Sequence, residues 1–379
     1  MKPMKKMLPV LAFVAVLFGL TILSLTTEEK TYSSTEKREL QTRPKVKIKT
    51  IKNGEFQQKY ETYLSDQFPG RDEWVQLQTE ISRLFGKSES NGVYFGKDHY
   101  LLEHYSEEDF DEETMTSNIS ALAAFVKRTK KQADVKVMMV PTKTWILRDK
   151  LPAFAPTFEE QRFYDELDRQ LGADAEGILI PVKEKLKEHA PEEIYYRTDH
   201  HWTTLGAWYG YEAYVNAMGD DAGRANEKKR FVQVCDDFYG TTYAKVNRAS
   251  QADAIYLYEP QPVLSVVYNM GEKTTDSLYE MEHLETKDQY RVFTGGNQAV
   301  LEITGGEENG KTLLVIKDSF ANCMLPFLAE DVEKMVVVDL RQLNIGCDAL
   351  VERFSPTEVL VLYNDAQFAK DRDFAMKCS

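Results

Sequence analysis

The chain has 379 residues, 42% hydrophobic and 28% charged, which suits one large globular domain or two modest ones. Its formal net charge of −14 repels phosphate backbones and anionic lipids, so no nucleic-acid partner is expected. The cysteines, Cys235, Cys323, Cys347 and Cys378, show no CxxC spacing, which argues against a zinc knuckle or a thioredoxin-like motif.

In chain order, Lys2, Lys5 and Lys6 precede an uncharged run from Met7 to Thr27, about 20 residues, enough to cross a bilayer core as a helix. Positive charge ahead of the run puts the N-terminus in the cytoplasm and the rest outside, at the cell surface or in the periplasm. A cleaved signal peptide is the rival, but no small-x-small site stands near Leu23–Thr27. The reading is a single membrane anchor over 1–27, a polar linker over 28–50 and one extracytoplasmic domain over 51–379. Outside the cell one or two disulfides are allowed, with their pairing open.

Residues 55–86 show helical spacing on both sides of Pro69-Gly70, a helix–turn–helix unit. "GVYFGKDHYLLE" predicts a hairpin turning at Gly96-Lys97-Asp98. From Thr116 helices alternate with apolar strands: helix 116–131, strand 135–141, helix 157–171, strand 177–182, helix 183–189. A further helix over 203–219 has Thr203 or Thr204 as cap and Gly219 as stop. Residues 226–310, rich in Tyr, Thr, Val and Gly, predict an antiparallel β insertion of short strands, "QYRVFTGG" among them. The rhythm resumes with "KTLLVIKDSF", "MVVVDL" and "EVLVLYND". This predicts an α/β fold with a mostly parallel sheet flanked by helices on both faces.

Ligands in such sheets collect beyond the carboxyl ends of the strands, where two polar segments fall. Ser319 follows the strand "LLVI", so its Oγ is exposed near a helix N-terminus whose N–H groups can stabilise an oxyanion. Its plainer role is a helix cap. In extended backbone, residues i and i+2 project to one side. Asp199 and His201 can then face together, the carboxylate orienting the imidazole and Nε2 left for Ser319. His200 points elsewhere, into hydrogen bonding or packing. The plainer role of Asp-x-His is a hydrogen-bonded loop before a helix. Two adjacent histidines also invite a two-metal phosphoesterase, but His99, His104, His189 and His283 lie in unrelated contexts. No metal or cofactor is expected.

"YYRTDHHWTTLGAWYGYEAY", with "LLVIKDSFANCMLPFLA" downstream, resembles the bacterial DHHW protein family. That family is similar to the SGNH-type alginate O-acetyltransferases of the periplasm, whose Asp-x-His-Trp motif also precedes the serine. The likeness extends to "YLSDQFPGRDEWVQLQ", "GVYFGKDHYLL", "FYGTTYAKV", "VVVDLRQL" and "VLVLYND". It implies an SGNH-hydrolase-like fold, with Ser319 as nucleophile, His201 as general base, Asp199 as its orienting group and Trp202 as packing. The implied reaction passes an acetyl group through an acyl-serine, from a membrane-bound O-acyltransferase partner to a hydroxyl of an extracellular polysaccharide. The motif order departs from typical SGNH hydrolases, which start with Gly-Asp-Ser and end with Asp-x-x-His. The separate Gly and Asn blocks of an oxyanion hole are not distinct. Candidates for its donors are the Ser319 N–H, Asn322, Asn297 and Asn364. Arg341, Tyr363, Trp202 and His200 are candidates to contact substrate, and Tyr239 and Tyr243 to extend a glycan groove. A carbohydrate acetyl esterase would use the same triad with water as acceptor, and a non-catalytic glycan-binding or assembly factor would keep the fold.

Overall fold

The computed structural model describes residues 2–33, 38–219, 230–248, 251–259 and 262–379. The expected start of the β insertion at 226 and residues 34–37 of the expected linker lie outside them. The chain divides into two compact units, Met1–Asn91 with Ala244–Arg248, and Gly92–Tyr243 with Ala249–Ser379.

In the first unit, Lys2–Thr26 forms a 25-residue helix with Pro9 inside it. Among the described residues no helix is long and apolar enough to cross a membrane. The expected membrane anchor is thus not seen among the described residues. Helices Glu55–Asp66 and Arg71–Leu84 form the expected pair. Gly70 between them has φ 68°, a conformation that glycine adopts without a Cβ penalty. The 28–50 stretch is not a free linker. Tyr32–Ser33 pairs with Arg38–Glu39, and the Gln41 N–H donates to Asp66 Oδ2 at 2.8 Å.

The second unit holds a seven-stranded sheet. Its strands are β1 (Asp134–Val140), β2 (Ser265–Tyr268), β3 (Lys273–Thr275), β4 (Val300–Thr304), β5 (Thr312–Lys317), β6 (Lys334–Val338) and β7 (Glu358–Asn364), in the order β3-β2-β4-β6-β5-β7-β1. Strands β6, β5, β7 and β1 run parallel. β4 pairs antiparallel with β6, β2 with β4, and β3 with β2. The sheet is therefore mixed, which corrects the mostly parallel expectation. The edge of β6 would otherwise expose a row of unpaired N–H and C=O groups, and the inserted strands cover it. Among the described residues of the insertion, Arg230–Phe238 and Asp253–Glu259 form a separate two-stranded sheet. "QYRVFTGG" holds a 3-10 turn at Gln289–Val292 instead of a strand, and 177–182 contributes one parallel bridge, Val137 to Leu179.

Alternation along β5 sends Leu313, Val315 and Lys317 to one face and Leu314 and Ile316 to the other. The first face packs with Trp202, Ala207, Tyr211 and Phe320, and the second with Ile119, Phe125, Phe163, Val361 and Tyr363. Helices Val182–Glu188 and Thr204–Met218 contribute to the first core, and Glu112–Thr129, Gln161–Leu171 and Cys347–Phe354 to the second. From β5 the chain goes to β6 on one side, then crosses to β7 on the other. That reversal makes the carboxyl end of β5 a crevice.

Cys347 and Cys378 form a disulfide across 31 residues, while Cys235 and Cys323 are outside any disulfide. Cys347→Ser is expected to lower unfolding free energy by about 3–4 kcal/mol, the loop-closure entropy of such a link. Denaturant melts of the variant, and of wild type with and without reductant, check this.

Candidate active site

Ser319 opens a five-residue 3-10 helix directly after β5. Its neighbour Asp318 is the cap: Oδ1 accepts the Phe320 N–H at 2.9 Å, and Oδ2 accepts the Asn364 N–H at 2.9 Å. Burial pushes this carboxyl up to about 6. With capping done by Asp318, the Ser319 hydroxyl is available for another partner. Its Oγ lies 2.8 Å from His201 Nε2. His201 Nδ1 lies 2.6 Å from Asp199 Oδ1, which also accepts the His201 backbone N–H at 2.9 Å. A carboxylate only accepts, so Nδ1 carries the proton and Nε2 presents its lone pair to the serine hydroxyl.

Asp199 is held from its other side as well. Oδ2 accepts the Thr241 N–H at 2.7 Å and the Thr241 hydroxyl at 2.9 Å. The preceding Gly240 makes this approach possible, since a Cβ there would sit 2.1 Å from Asp199 Cβ and 2.3 Å from Oδ2. Gly240→Ala is expected to displace the carboxylate and cut acetyl-ester turnover roughly 10²-fold, with folding retained. Initial rates together with a circular-dichroism melt check this.

Lys143 Nζ donates to the Asp199 carbonyl at 2.7 Å and to the Tyr196 carbonyl at 3.1 Å. Asp253 accepts the N–H groups of Arg197 and Thr198, each at 2.7 Å, and the Thr198 hydroxyl at 2.6 Å. Burial raises the Asp253 carboxyl above its usual range. These two groups pin residues 196–199.

His200 Nδ1 lies 2.5 Å from Thr241 Oγ1. Its ring does not leave the site, as its centroid is 3.8 Å from that of His201. Tyr290, from the 3-10 turn, stacks on His201 at 4.0 Å with the planes 11° apart. Trp202 is fully buried, and its Nε1 donates to the Phe320 carbonyl at 2.8 Å. A Cβ on Gly210 would lie 2.8 Å from the Trp202 ring, and one on Gly206 would lie 3.0 Å from its Cβ. On the Thr204–Met218 helix Gly210 thus leaves room for the indole, and Gly206 for the Ile194 carbonyl oxygen, 2.2 Å from where a Cβ would sit. Trp202 serves packing and is withdrawn as a substrate contact.

Residues 92–338 match the family described as DHHW protein. The chain belongs to the DHHW protein family. Among curated relatives, a probable alginate O-acetylase, AlgJ, of Pseudomonas fluorescens is 26% identical over 196 residues, covering 48% of this chain and 48% of that protein. The corresponding protein of Pseudomonas syringae pv. tomato gives the same identity and coverage. The DHHW chain spans about half the length of the curated relatives it matches. A crystal structure of a DHHW family protein from Eubacterium siraeum superposes with a TM-score of 0.64 at 22% identity, covering 76% of this chain and 96% of that one. Bacillus cereus PatB1 with a sulfonyl adduct superposes at 0.60 and 21%, covering 75% and 97%. These two likenesses show a shared fold.

In this DHHW protein the other candidates separate. Asn322 and Asn297 stand together, with Asn322 Nδ2 donating to Asn297 Oδ1 at 3.3 Å. Asn364 is a helix cap: Oδ1 accepts the Gln367 N–H at 3.2 Å, and Nδ2 donates to the Val140 carbonyl at 2.9 Å. That leaves its amide engaged and removes it as an oxyanion donor. Arg341 forms a two-point pair with Asp339, at 2.9 and 2.6 Å, which holds the guanidinium. Tyr363 is buried on the opposite face of the sheet, against Phe368 and Phe374. Tyr239 is partly exposed beside Gly240 and packs on Tyr243 at 4.7 Å. Among the described residues Asp199, His200 and His201 are close enough to hold an ion, as are Glu280, Glu282 and His283. In the first group both carboxylate oxygens and both His201 nitrogens already have hydrogen-bond partners, so the donor set does not fit a resident metal.

Proposed function

We propose that this DHHW protein is an extracytoplasmic O-acetyltransferase that carries an acetyl group on Ser319 and passes it to a polysaccharide hydroxyl. The observation that carries the reading is the continuous hydrogen-bonded chain from Asp199 through His201 to Ser319 at the carboxyl end of β5. Ser319 Oγ attacks the acyl carbonyl as its proton passes to His201 Nε2. As the first residue of its helix, Ser319 has a backbone N–H without an intrahelical acceptor, suited to the oxyanion of the tetrahedral intermediate. The bond to the donor oxygen then breaks, and that oxygen takes the proton from His201. In the second half, the acceptor hydroxyl gives its proton to His201 and attacks the acyl-serine carbonyl. The new ester leaves, and Ser319 Oγ recovers the proton. Asp199 holds Nδ1–H in place and stabilises the imidazolium formed in each half.

The names of the curated relatives, alginate O-acetylases, support a polysaccharide acceptor. On this reading the acetyl donor is a membrane-bound O-acyltransferase partner. The Cys347–Cys378 disulfide suits an oxidising compartment outside the cytoplasm. The test supplies the purified chain with an acetyl-ester donor and an oligosaccharide, followed by mass spectrometry of the sugar. Ser319-dependent acetylation of the sugar is the expected result. Release of free acetate alone would make the protein an esterase, and no acetyl turnover would refute the enzymatic reading.

A further inference from the structure

Lys317 ends β5 two residues before the serine, and the steps above do not use it. Its side chain is 1% exposed. The described partners of Nζ are two neutral amides: Asn322 Oδ1 at 2.7 Å and Asn297 Oδ1 at 3.2 Å. The charged groups that face it are Asp318, next in the chain, and Asp339 and Arg341, which follow β6. Asp339 and Arg341 are paired with each other. A buried cation held by amide oxygens costs desolvation energy that a packed apolar residue would not.

The geometry gives that cation a use. An ammonium has donors and no acceptor, so both amides must turn their oxygens toward it. This fixes their otherwise ambiguous flips, and each NH₂ group faces away from Lys317. Asn322 follows Ser319 by three positions in a 3-10 helix, where such side chains eclipse, so the two share a face. Asn297 occupies an exposed position directly after Gly295 and Gly296, both at positive φ, and its NH₂ has no described partner. Its oxygen receives both Lys317 Nζ and Asn322 Nδ2. A cation on the oxygen of an amide also draws electron density from its nitrogen and makes the N–H groups stronger donors.

We propose that Lys317 is a positioning residue for acyl transfer: it orients and polarises the Asn297 and Asn322 amides so that their N–H groups meet the acyl oxygen that becomes negative when Ser319 attacks. The proposal rests on the acyl-serine reading of the site. Burial pushes the Lys317 ammonium down to about 8, so the neutral amine replaces it within an accessible pH range.

The experiment is the pH profile of acetyl-ester turnover for wild type, Lys317→Met, Lys317→Arg, Asn297→Ala and the Lys317→Met/Asn297→Ala pair, with Ser319→Ala as control. Lys317→Met is expected to lower kcat about 10²-fold, the size of one lost oxyanion donor, with KM little changed. Wild-type kcat declines as pH rises through about 8. Lys317→Met lacks that decline, and Lys317→Arg moves it to higher pH because a guanidinium stays charged. The double variant is little worse than Lys317→Met, since both changes remove the same donor. A folded Lys317→Met with wild-type kcat and pH profile overturns the inference, as do fully additive losses. If Lys317→Met does not fold, Asn297→Ala decides, and unchanged kcat there overturns it. Wild-type turnover by Ser319→Ala instead overturns the acyl-serine reading beneath it.

Discussion

Ser319→Ala is expected to cut acetyl-ester turnover by about 10⁴-fold or more and to leave thermal stability nearly unchanged. The described partner of the Ser319 hydroxyl is His201 Nε2, so its removal deprives the reaction of its nucleophile and the base of its proton. The fold keeps what shapes this corner. Asp318 still caps the helix, its carboxylate still ties the Asn364 backbone, and Trp202 still holds the Phe320 carbonyl. Initial rates and a melting curve on the same preparation separate the two effects. A loss of less than tenfold, or a loss matched by unfolding, would contradict this role for the serine.

Asp199→Asn is expected to lower kcat by about 10⁴-fold through a different route. The native carboxylate accepts on both sides, from His201 through Oδ1 and from Thr241 through Oδ2. An asparagine has one acceptor side only. If its NH₂ faces His201, the imidazole must move its proton to Nε2, and nothing remains to take the proton of Ser319. If its NH₂ faces Thr241, two donors meet at a buried site and the loop shifts. Either way stability falls by about 1–3 kcal/mol, the cost of an unsatisfied buried polar group. Steady-state kinetics and denaturant melts read both effects. Because the three groups act as a unit, Asp199→Asn added to Ser319→Ala should cost no further activity. Near-normal kcat in Asp199→Asn would remove the carboxylate from the mechanism.

Much of the fold was readable because strands buried on both faces appear as apolar runs, unbroken in the middle of β5 and β7 and interrupted in β1 only by Lys136. The Thr204–Met218 helix carried its own punctuation, Thr203 at the cap and Gly219 in the left-handed conformation at the stop. The inserted strands were readable as strands but not in their pairing, which is a property of the edge they cover. At the site, the two-residue spacing of Asp199 and His201 was legible from strand geometry, and Ser319 from its place after a buried strand. Thr241, Lys143, Asp253 and Tyr290 were not, because each acts through a few contacts with a segment distant in the chain. "FYGTTYAKV" belonged to the family likeness, yet nothing in it announced that Gly240 must lack a side chain for Thr241 to reach Asp199. Tyr363 could have been placed from period two alone, since it shares a face with Val359 and Val361, in the second core. Arg341 likewise stands two residues from the carboxylate that holds it.

The most direct measurement is mass spectrometry of the protein quenched after a short pulse of acetyl donor. An acetyl group on the peptide containing Ser319, absent from Ser319→Ala and lost when an acceptor hydroxyl is added, is the predicted result. Turnover that proceeds with no adduct, or with the adduct on another residue, would contradict the account.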